Sequence, residues 1–314
     1  MLAAVTGGTG FIGRELASLL LRSGHRVRIL TRRLPLVTEQ LPAAEYVLGD
    51  LTSNENLALF VDGVDVVFHC AGEINRPANM RALHVDGTAR LVEAAAGKIS
   101  RWVQLSSTGA YGSRLDGLVR EDDVLRPQGE YEVTKVASDE LVSAAGRNGA
   151  FSHCILRPTI VFGGKMPNQS LFALLSLIEK RFFFFIGAAG ASANYVHVQN
   201  VAYALLLCGT KAEADGKTFI ISDYCTIEEF VGMMAVHLNV PPPRLRLPKV
   251  AVRSIAICLQ GFDRWPLKVS RVDALSSFVR YSTDRLENEL EYRAPVEIVS
   301  GTQELVEHYR RKKS

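Results

Sequence analysis

Thr6-Gly7-Gly8-Thr9-Gly10-Phe11-Ile12-Gly13 is the stretch that decides the fold. The run before it, 2–5, is short and apolar and reads as a strand. After it, Ile12, Leu16, Leu19 and Leu20 share one face of a helix that stops at Ser23-Gly24, where a glycine suits a helix C-terminus. A glycine motif set between a strand and a helix is the context of a dinucleotide fingerprint. Gly7 permits the tight turn, Gly10 lets backbone approach a pyrophosphate, and Gly13 permits close helix–strand packing. The helix N-terminus then offers N–H groups and its positive dipole end to phosphate oxygens. Gly7, Thr9, Gly10, Phe11, Ile12 and Gly13 are therefore cofactor-binding candidates, against the alternative of a glycine-rich loop with no ligand. A P-loop is excluded, because no Gly-Lys-Ser/Thr follows.

Working outward, 27–30 reads as a second strand ending at Thr31-Arg32-Arg33. An NAD site usually has Asp or Glu here for the ribose 2′-hydroxyl, whereas arginine suits a 2′-phosphate. Thr31 stands at the acid's position, so Arg32 and Arg33 favour NADP(H) over NAD(H), although arginines after a strand are also common surface residues. A short strand at 46–48 ends in Gly49-Asp50-Leu51. Asp50 either accepts from an adenine amino group or is only a turn residue, with Ser53 capping a helix at 54–60. The continuous apolar run 64–68 reads as a buried parallel strand. It enters His69-Cys70-Ala71-Gly72, where the small residues Cys70, Ala71 and Gly72 let backbone lie against a cofactor. A helix at 80–96 and a strand at 102–105 follow. Strands alternating with helices at this spacing predict an α/β, doubly wound parallel sheet of the Rossmann type.

Ligands of such sheets lie at the strands' C-terminal ends. The strand at 102–105 runs into Ser106-Ser107-Thr108-Gly109-Ala110-Tyr111-Gly112, and Tyr131-Glu132-Val133-Thr134-Lys135 opens a helix reaching about 147. Tyr131 and Lys135, four apart, share a helical face. An ammonium beside a phenol, together with the positive ring of an oxidised nicotinamide, would bring the phenol's pKa down toward neutrality. Tyr131 could then exchange a proton with a substrate hydroxyl while a serine from the strand end holds the same oxygen. Tyr-x-x-x-Lys alone is a weak signal; the glycine turn and the serine-rich strand end are what give it weight.

The whole chain fits this reading. At 314 residues it has room for one large domain or two unequal ones, and a net charge of +3 does not argue for nucleic acid. The apolar stretches at 171–178, 182–191 and 201–208 are too short to span a bilayer. The five cysteines are scattered without metal-ligand or redox spacing, which predicts buried free thiols in a reducing cytoplasm and no metal site. The run Phe182–Phe185 reads as a core or pocket wall.

These residues resemble the extended branch of the short-chain dehydrogenase/reductase superfamily, the NAD(P)-dependent epimerases, dehydratases and reductases. Residues 6–13 match its TGxxGxxG, Asp50-Leu51 its adenine-side acid, and Tyr131/Lys135 its catalytic pair. The family's catalytic Ser/Thr lies four residues before the Tyr of a Tyr-Gly dipeptide, which here selects Ser107, with Ser106 its neighbour on the cofactor side. Leu156-Arg157-Pro158 matches the strand end whose proline, here Pro158, lies by the nicotinamide carboxamide. Two positions depart from the pattern. His84 replaces an asparagine that supports the active-site backbone, either doing the same or filling space, and Gln199-Asn200 replaces an acidic pair. His197 reads as structural.

The resemblance also implies the organisation. A Rossmann domain at 1–162, with segments near 194–208 and 218–222 returning to it, precedes a small, mostly helical substrate domain at 163–314. It implies a homodimer packed through the helices at 80–96 and 130–147, and a small-molecule substrate with neither nucleic acid nor a membrane span. Arg244, Arg246, Lys268 and Arg271 are placed in sequence to hold a diphosphate, although surface salt bridging explains such residues equally well, and 182–200 most resembles bacterial nucleotide-sugar epimerases and 4-keto reductases. A nucleotide-linked sugar is thus the expected substrate, with a 3β-hydroxysteroid-type ring system as the alternative that the aromatic run admits. A non-catalytic NADP-binding redox sensor is the remaining alternative, and the intact Ser107/Tyr131/Lys135 set argues against it.

Overall fold

The computed structural model describes residues 1–258 and 268–313; residues 259–267 and 314 of the expected substrate domain lie outside them. Strand β1 (Leu2–Thr6) is wholly buried. Ala3 and Val5 enter one core and Leu2 and Ala4 the other, so both faces of the strand are covered, as in parallel sheets. Helix α1 (Phe11–Arg22) buries Gly13, Leu16, Ala17 and Leu20 and ends at Ser23, with Gly24 at φ +78°. There follow β2 (Arg26–Thr31), β3 (Ala44–Leu48), a short α2 (Leu57–Val61) and β4 (Val66–His69). The helix expected at 54–60 is thus shorter and starts later. Asn56 at φ +57° precedes it without a side-chain cap, and Ser53 Oγ accepts instead from the Glu55 N–H at 3.4 Å.

Helix α3 is continuous but irregular: Pro77–Arg81 passes through a π-helical turn, Ala82–Asp86, into Gly87–Ala95. Such turns recur at functional sites, and this one carries His84. Next come β5 (Arg101–Leu105), α4 (Glu130–Arg147), β6 (Ser152–Pro158) and β7 (Ile160–Phe162). The main elements of the remainder are α5 (Ser170–Glu179), β8 (Phe185–Ile186), β9 (Ser192–His197), α6 (Val198–Thr210), β10 (Lys217–Ile221), β11 (Asp223–Thr226), α7 (Ile227–Leu238), β12 (Arg246–Leu247), α8 (Lys249–Cys258), α9 (Val269–Ala274) and α10 (Ile298–Lys313).

Seven strands form the central parallel sheet in the order β10-β6-β5-β4-β1-β2-β3. From β1 the chain winds one way to β3 and then the other way through β4. A crevice therefore opens between β1 and β4 at their C-terminal ends. The chain's two halves interleave. Strand β10 pairs with β6, and α6 packs its Leu205 and Cys208 into the core shared with Leu16, Leu20 and Phe68. Strand β9, near the start of an expected returning segment, pairs instead with β7 and β11 in a separate sheet. Around it α5, α7 and α10 enclose a second core that includes Phe162, Leu175, Phe230 and Leu305.

Candidate active site

A cleft of about 980 Å³ opens at the β1/β4 switch point. Its floor is the glycine turn. Gly7 has φ +66°, and a Cβ there would lie 2.8 Å from both Ala71 N and the Cys70 carbonyl. A Cβ at position 13 would lie 2.3 Å from the Gly7 carbonyl, so no side chain is admitted at either place. No side chain caps the start of α1 at Gly10, and its first turn holds no acid. Its first N–H groups lack intrahelical partners and form a ready anion site.

Gly7, Thr9, Gly10, Arg32, Arg33, Asp50, Leu51, Ala71 and Gly72, all expected from sequence, line this cleft. Thr31 Oγ1 donates to the Arg33 carbonyl at 2.7 Å, turning the chain where Arg32 and Arg33 stand exposed. Asp50 Oδ1 accepts the Thr52 N–H at 2.9 Å, which is the turn role, while the residue also lines the cleft. Two cations missed in the sequence, Arg14 and Lys165, also line the cleft, giving four basic side chains against Glu39 and Asp50. Arg14 Nη1 donates to the Glu39 carbonyl at 2.5 Å. Glycine cradle, uncapped helix end and cationic rim together fit a dinucleotide.

The other expected cofactor residues sit off this wall. Phe11 and Ile12 turn their side chains into the second and first cores, so only their backbone faces the turn. Burial pushes the Cys70 thiol up to about 12, and that residue contributes its carbonyl beside Gly7. Pro158 is buried at the end of β6, its carbonyl accepting from Thr108 Oγ1 at 3.2 Å.

Tyr131 and Lys135 occupy the first turns of α4, against the end of β5. Lys135 is 4% exposed, and its Nζ donates to the Leu105 carbonyl at 2.5 Å. Ser107, two residues beyond Leu105, hydrogen-bonds the Tyr131 phenol and accepts the Gly109 N–H at 3.1 Å. Ser107 and Tyr131 thus meet, and Lys135, one helical turn further along α4, is held to the end of the same strand. In the protein alone, burial and then Asp139 hold the phenol above its ordinary value, outweighing the Ser107 hydrogen bond that lowers it. Burial also lowers Lys135, with Asp139 opposing.

Asp139, one turn beyond Lys135, is a joint beneath the site. Its Oδ2 accepts from Ser106 Oγ at 2.7 Å and from Arg157 Nη2 at 3.1 Å. Arg157 Nη1 in turn donates to the Tyr111 hydroxyl at 3.0 Å. Ser106, expected on the cofactor side, is therefore 3% exposed with its hydroxyl turned down to Asp139. Nothing in its residue type signals this; the acid lies 33 residues away.

His84 resolves the alternatives left by its residue type. The Glu73 N–H points at Nε2 at 2.8 Å, and Nδ1 lies 2.8 Å from Thr134 Oγ1. Nε2 must accept, so the ring proton is on Nδ1 and is donated to Thr134. Burial, followed by Lys135, lowers this imidazole to about 4 and keeps it neutral. His84 thus supports the active-site backbone, tying the loop after β4 to the turn between Tyr131 and Lys135. Behind it His69 bridges Thr6 Oγ1 at 2.8 Å and Thr88 Oγ1 at 3.0 Å, and Thr88 meets Ser138 on α4 at 3.0 Å. This buried polar chain binds the end of β1 to α4.

In the second half, Arg246 is not available for a diphosphate. It pairs with Glu228 at 2.5 Å and donates to the carbonyls of Gly187 and Ala188. Arg244, Lys268 and Arg271 are exposed. Of the aromatic run, Phe183 and Phe185 are buried as a wall, whereas Phe182 is 71% exposed. Asn200 Nδ2 donates to Asp223 Oδ2 at 2.9 Å and to the Val296 carbonyl at 2.8 Å, while its Oδ1 accepts the Val296 N–H at 2.9 Å. His197 is fully buried 3.3 Å from Glu304. Among the described residues no group of His, Cys, Asp and Glu could hold a metal, and no helix is long and apolar enough to cross a membrane.

The chain is similar in sequence and fold to known proteins. The chain is 29% identical over 286 residues to a Mycobacterium tuberculosis 3 beta-hydroxysteroid dehydrogenase/Delta 5-->4-isomerase, covering 83% of this chain and 75% of the relative. It is 28% identical over 309 residues to a farnesylated dihydroquinoline-oxide ketoreductase of Stigmatella aurantiaca, covering 93% and 92%. Its structure superposes on MoeE5 in complex with UDP-glucose and NAD with a TM-score of 0.75 and 26% identity, covering all of both chains. A UDP-glucuronic acid 4-epimerase of Bacillus cereus in complex with NAD shares the fold at a TM-score of 0.77 and 18% identity over the full length of both. Residues 3–222, from β1 through β10, match the sequence model of the NAD dependent epimerase/dehydratase family, and the chain belongs to that family.

Proposed function

We propose that the chain is an NADP(H)-dependent oxidoreductase that interconverts a ketone and a secondary alcohol on an apolar ring-bearing substrate. The observation that carries the reaction is the meeting of the Tyr131 phenol with Ser107, on a helix whose Lys135 is fixed to β5. A reduced nicotinamide, when bound, supplies the hydride to the carbonyl carbon. Ser107 holds the carbonyl oxygen, and Tyr131 gives that oxygen its proton as the C–O bond becomes an alcohol. Tyr131 regains its proton from water. Burial holds the phenol above its ordinary value, so it carries its proton at neutral pH and has one to give to the substrate oxygen. Lys135, its ammonium anchored on the Leu105 carbonyl, is the residue that would hold the nicotinamide ribose.

Arg32 and Arg33, with no acid at Thr31, support the 2′-phosphate form of the cofactor. On substrate class, the internal pairing of Arg246 removes one expected diphosphate partner. The steroid dehydrogenase and the quinoline ketoreductase, both relatives over most of their length, favour an apolar ring. The nucleotide-linked sugar is the second reading, supported by MoeE5 and by the exposed Arg244 and Lys268. Incubating the protein with NADPH and a panel of polycyclic ketones and 4-ketosugar nucleotides, while following absorbance at the reduced nicotinamide band, tests both. Oxidation with neither class sinks the catalytic reading in favour of a cofactor-binding sensor. A homodimer packed through α3 and α4, a cytoplasmic setting and a substrate side formed mainly by 163–314 complete the proposal.

A further inference from the structure

We infer that Lys165 is a ligand of the cofactor's pyrophosphate, reaching it from the chain's second half. This rests on the cleft being a dinucleotide site. Lys165 lines the cleft together with Gly7, Thr9, Gly10 and Arg14, the residues around the start of α1, yet follows β7 rather than any strand of the central sheet. Its backbone is tightly placed. A Cβ at Gly163 would lie 3.0 Å from Val198 Cγ1 and 3.3 Å from the Phe11 ring, so the loop presses on the first residue of α1. The Gly164 N–H donates to Glu304 Oε1 at 3.2 Å, and a Cβ at Gly164 would lie 3.1 Å from His308 Cβ, so α10 fixes the loop from the other side. Lys165 thus springs from a loop wedged between α10 and the anion-binding end of α1, with its ammonium exposed to solvent.

The chemistry of that position selects the pyrophosphate. Its oxygens accept from the N–H groups of α1 on one side. The oxygens turned away from the helix need a cation from outside the glycine turn, and a flexible ammonium supplies one as a point charge. Arg32 and Arg33, just past the end of β2, would instead face the adenosine ribose. The two sets of cations therefore make separable predictions: Lys165 serves both dinucleotides alike, whereas the arginines serve only the phosphorylated one.

The test is equilibrium binding of NADH and NADPH to the full-length protein, by quenching of protein fluorescence at low and high salt. For Lys165→Ala we expect dissociation constants about tenfold higher for both dinucleotides, the size of one charge-assisted contact. Lys165→Glu should lose more, and in both variants the dependence on salt should flatten. The ligand-free melting temperature should stay at the wild-type value, since the side chain is exposed. Unchanged affinity for both dinucleotides overturns the assignment, and so does a loss confined to NADPH, which would move Lys165 to the 2′-phosphate. Wild-type protein that binds neither dinucleotide overturns the reading of the cleft itself.

Discussion

The imidazole of His84 and the hydroxyl of Thr134 stand 2.8 Å apart, and through them the loop after β4 and the first turns of α4 are held at a set distance. The neighbouring bond to Glu73 works only while Nε2 is unprotonated. His84 is lowered to about 4 in the folded protein and would take up its proton near 6.5 when unfolded. Between those values the unfolded state binds more protons than the folded one, so stability falls as pH drops through this window. His69, lowered to about 3, adds to the same fall.

His84→Asn should keep the bridge, its amide accepting from Glu73 and donating to Thr134, without a titrating group. Melting temperatures followed from pH 7 down to pH 4.5 should then decline less steeply than in the wild type. Identical slopes would show that His84 is not the group responsible.

Tyr131→Phe should bind cofactor normally and lose turnover by about a thousandfold, within the usual range for removing a general acid. Ser107→Ala should lose less, because the phenol still reaches the substrate oxygen. Wild-type rates in Tyr131→Phe would remove the mechanism.

Asp139 raises the phenol of Tyr131, so neutralising it lowers the pH at which that phenol ionises. The alkaline limb of ketone reduction in Asp139→Asn should therefore move to lower pH. The same change leaves the buried Arg157 without its ion pair and should cost about 3 kcal/mol of stability, measurable by denaturant titration. Lost stability with an unmoved alkaline limb would confine Asp139 to a structural role.

Arg32→Ala/Arg33→Ala should weaken NADPH by tenfold or more and leave NADH almost untouched, since only the 2′-phosphate meets these side chains. Equal affinity for the two cofactors in the wild type would contradict the proposed preference.

Asn200 donates to Asp223 and to Val296 with one amide, and a carboxylate could do neither. Asn200→Asp should destabilise the protein by about 2–4 kcal/mol, by breaking those bonds and setting two buried acids together. Adding Asp223→Asn should recover part of the loss. A double variant no better than the single would mean that the Asp223 bond contributes little.

What could be read in advance follows from the range of the forces involved. The glycine turn, the strand ends and the Tyr131/Lys135 pair are local patterns, in which backbone conformation or helical spacing limits the residue type within a few positions. Ser106 and Arg246 resisted such reading because each is decided by a partner far off in sequence, Asp139 and Glu228. The π-helical turn at His84 escaped too, since no periodicity marks one extra residue in a helix. Arg14 and Lys165 carry no signal of their own; only the folded chain brings them to one rim. The helix that follows Asp50 starts later than Ser53 suggests as a cap, because the chain turns through Asn56 at φ +57°.

Strand β10 is made last and laid outermost, against β6, some sixty residues after the chain has left the central sheet. A nascent chain released only as far as Phe162 would therefore present the edge of β6, from Cys154 to Pro158, as a row of unpaired peptide groups. It would also lack the face of α6 that covers α1 and Phe68. An open apolar edge of that kind seeks another strand to pair with. During synthesis the protein must pass through this sticky interval before Lys217 emerges, so its yield in a cell should depend on how quickly the second half follows, or on a chaperone that covers the edge in the meantime.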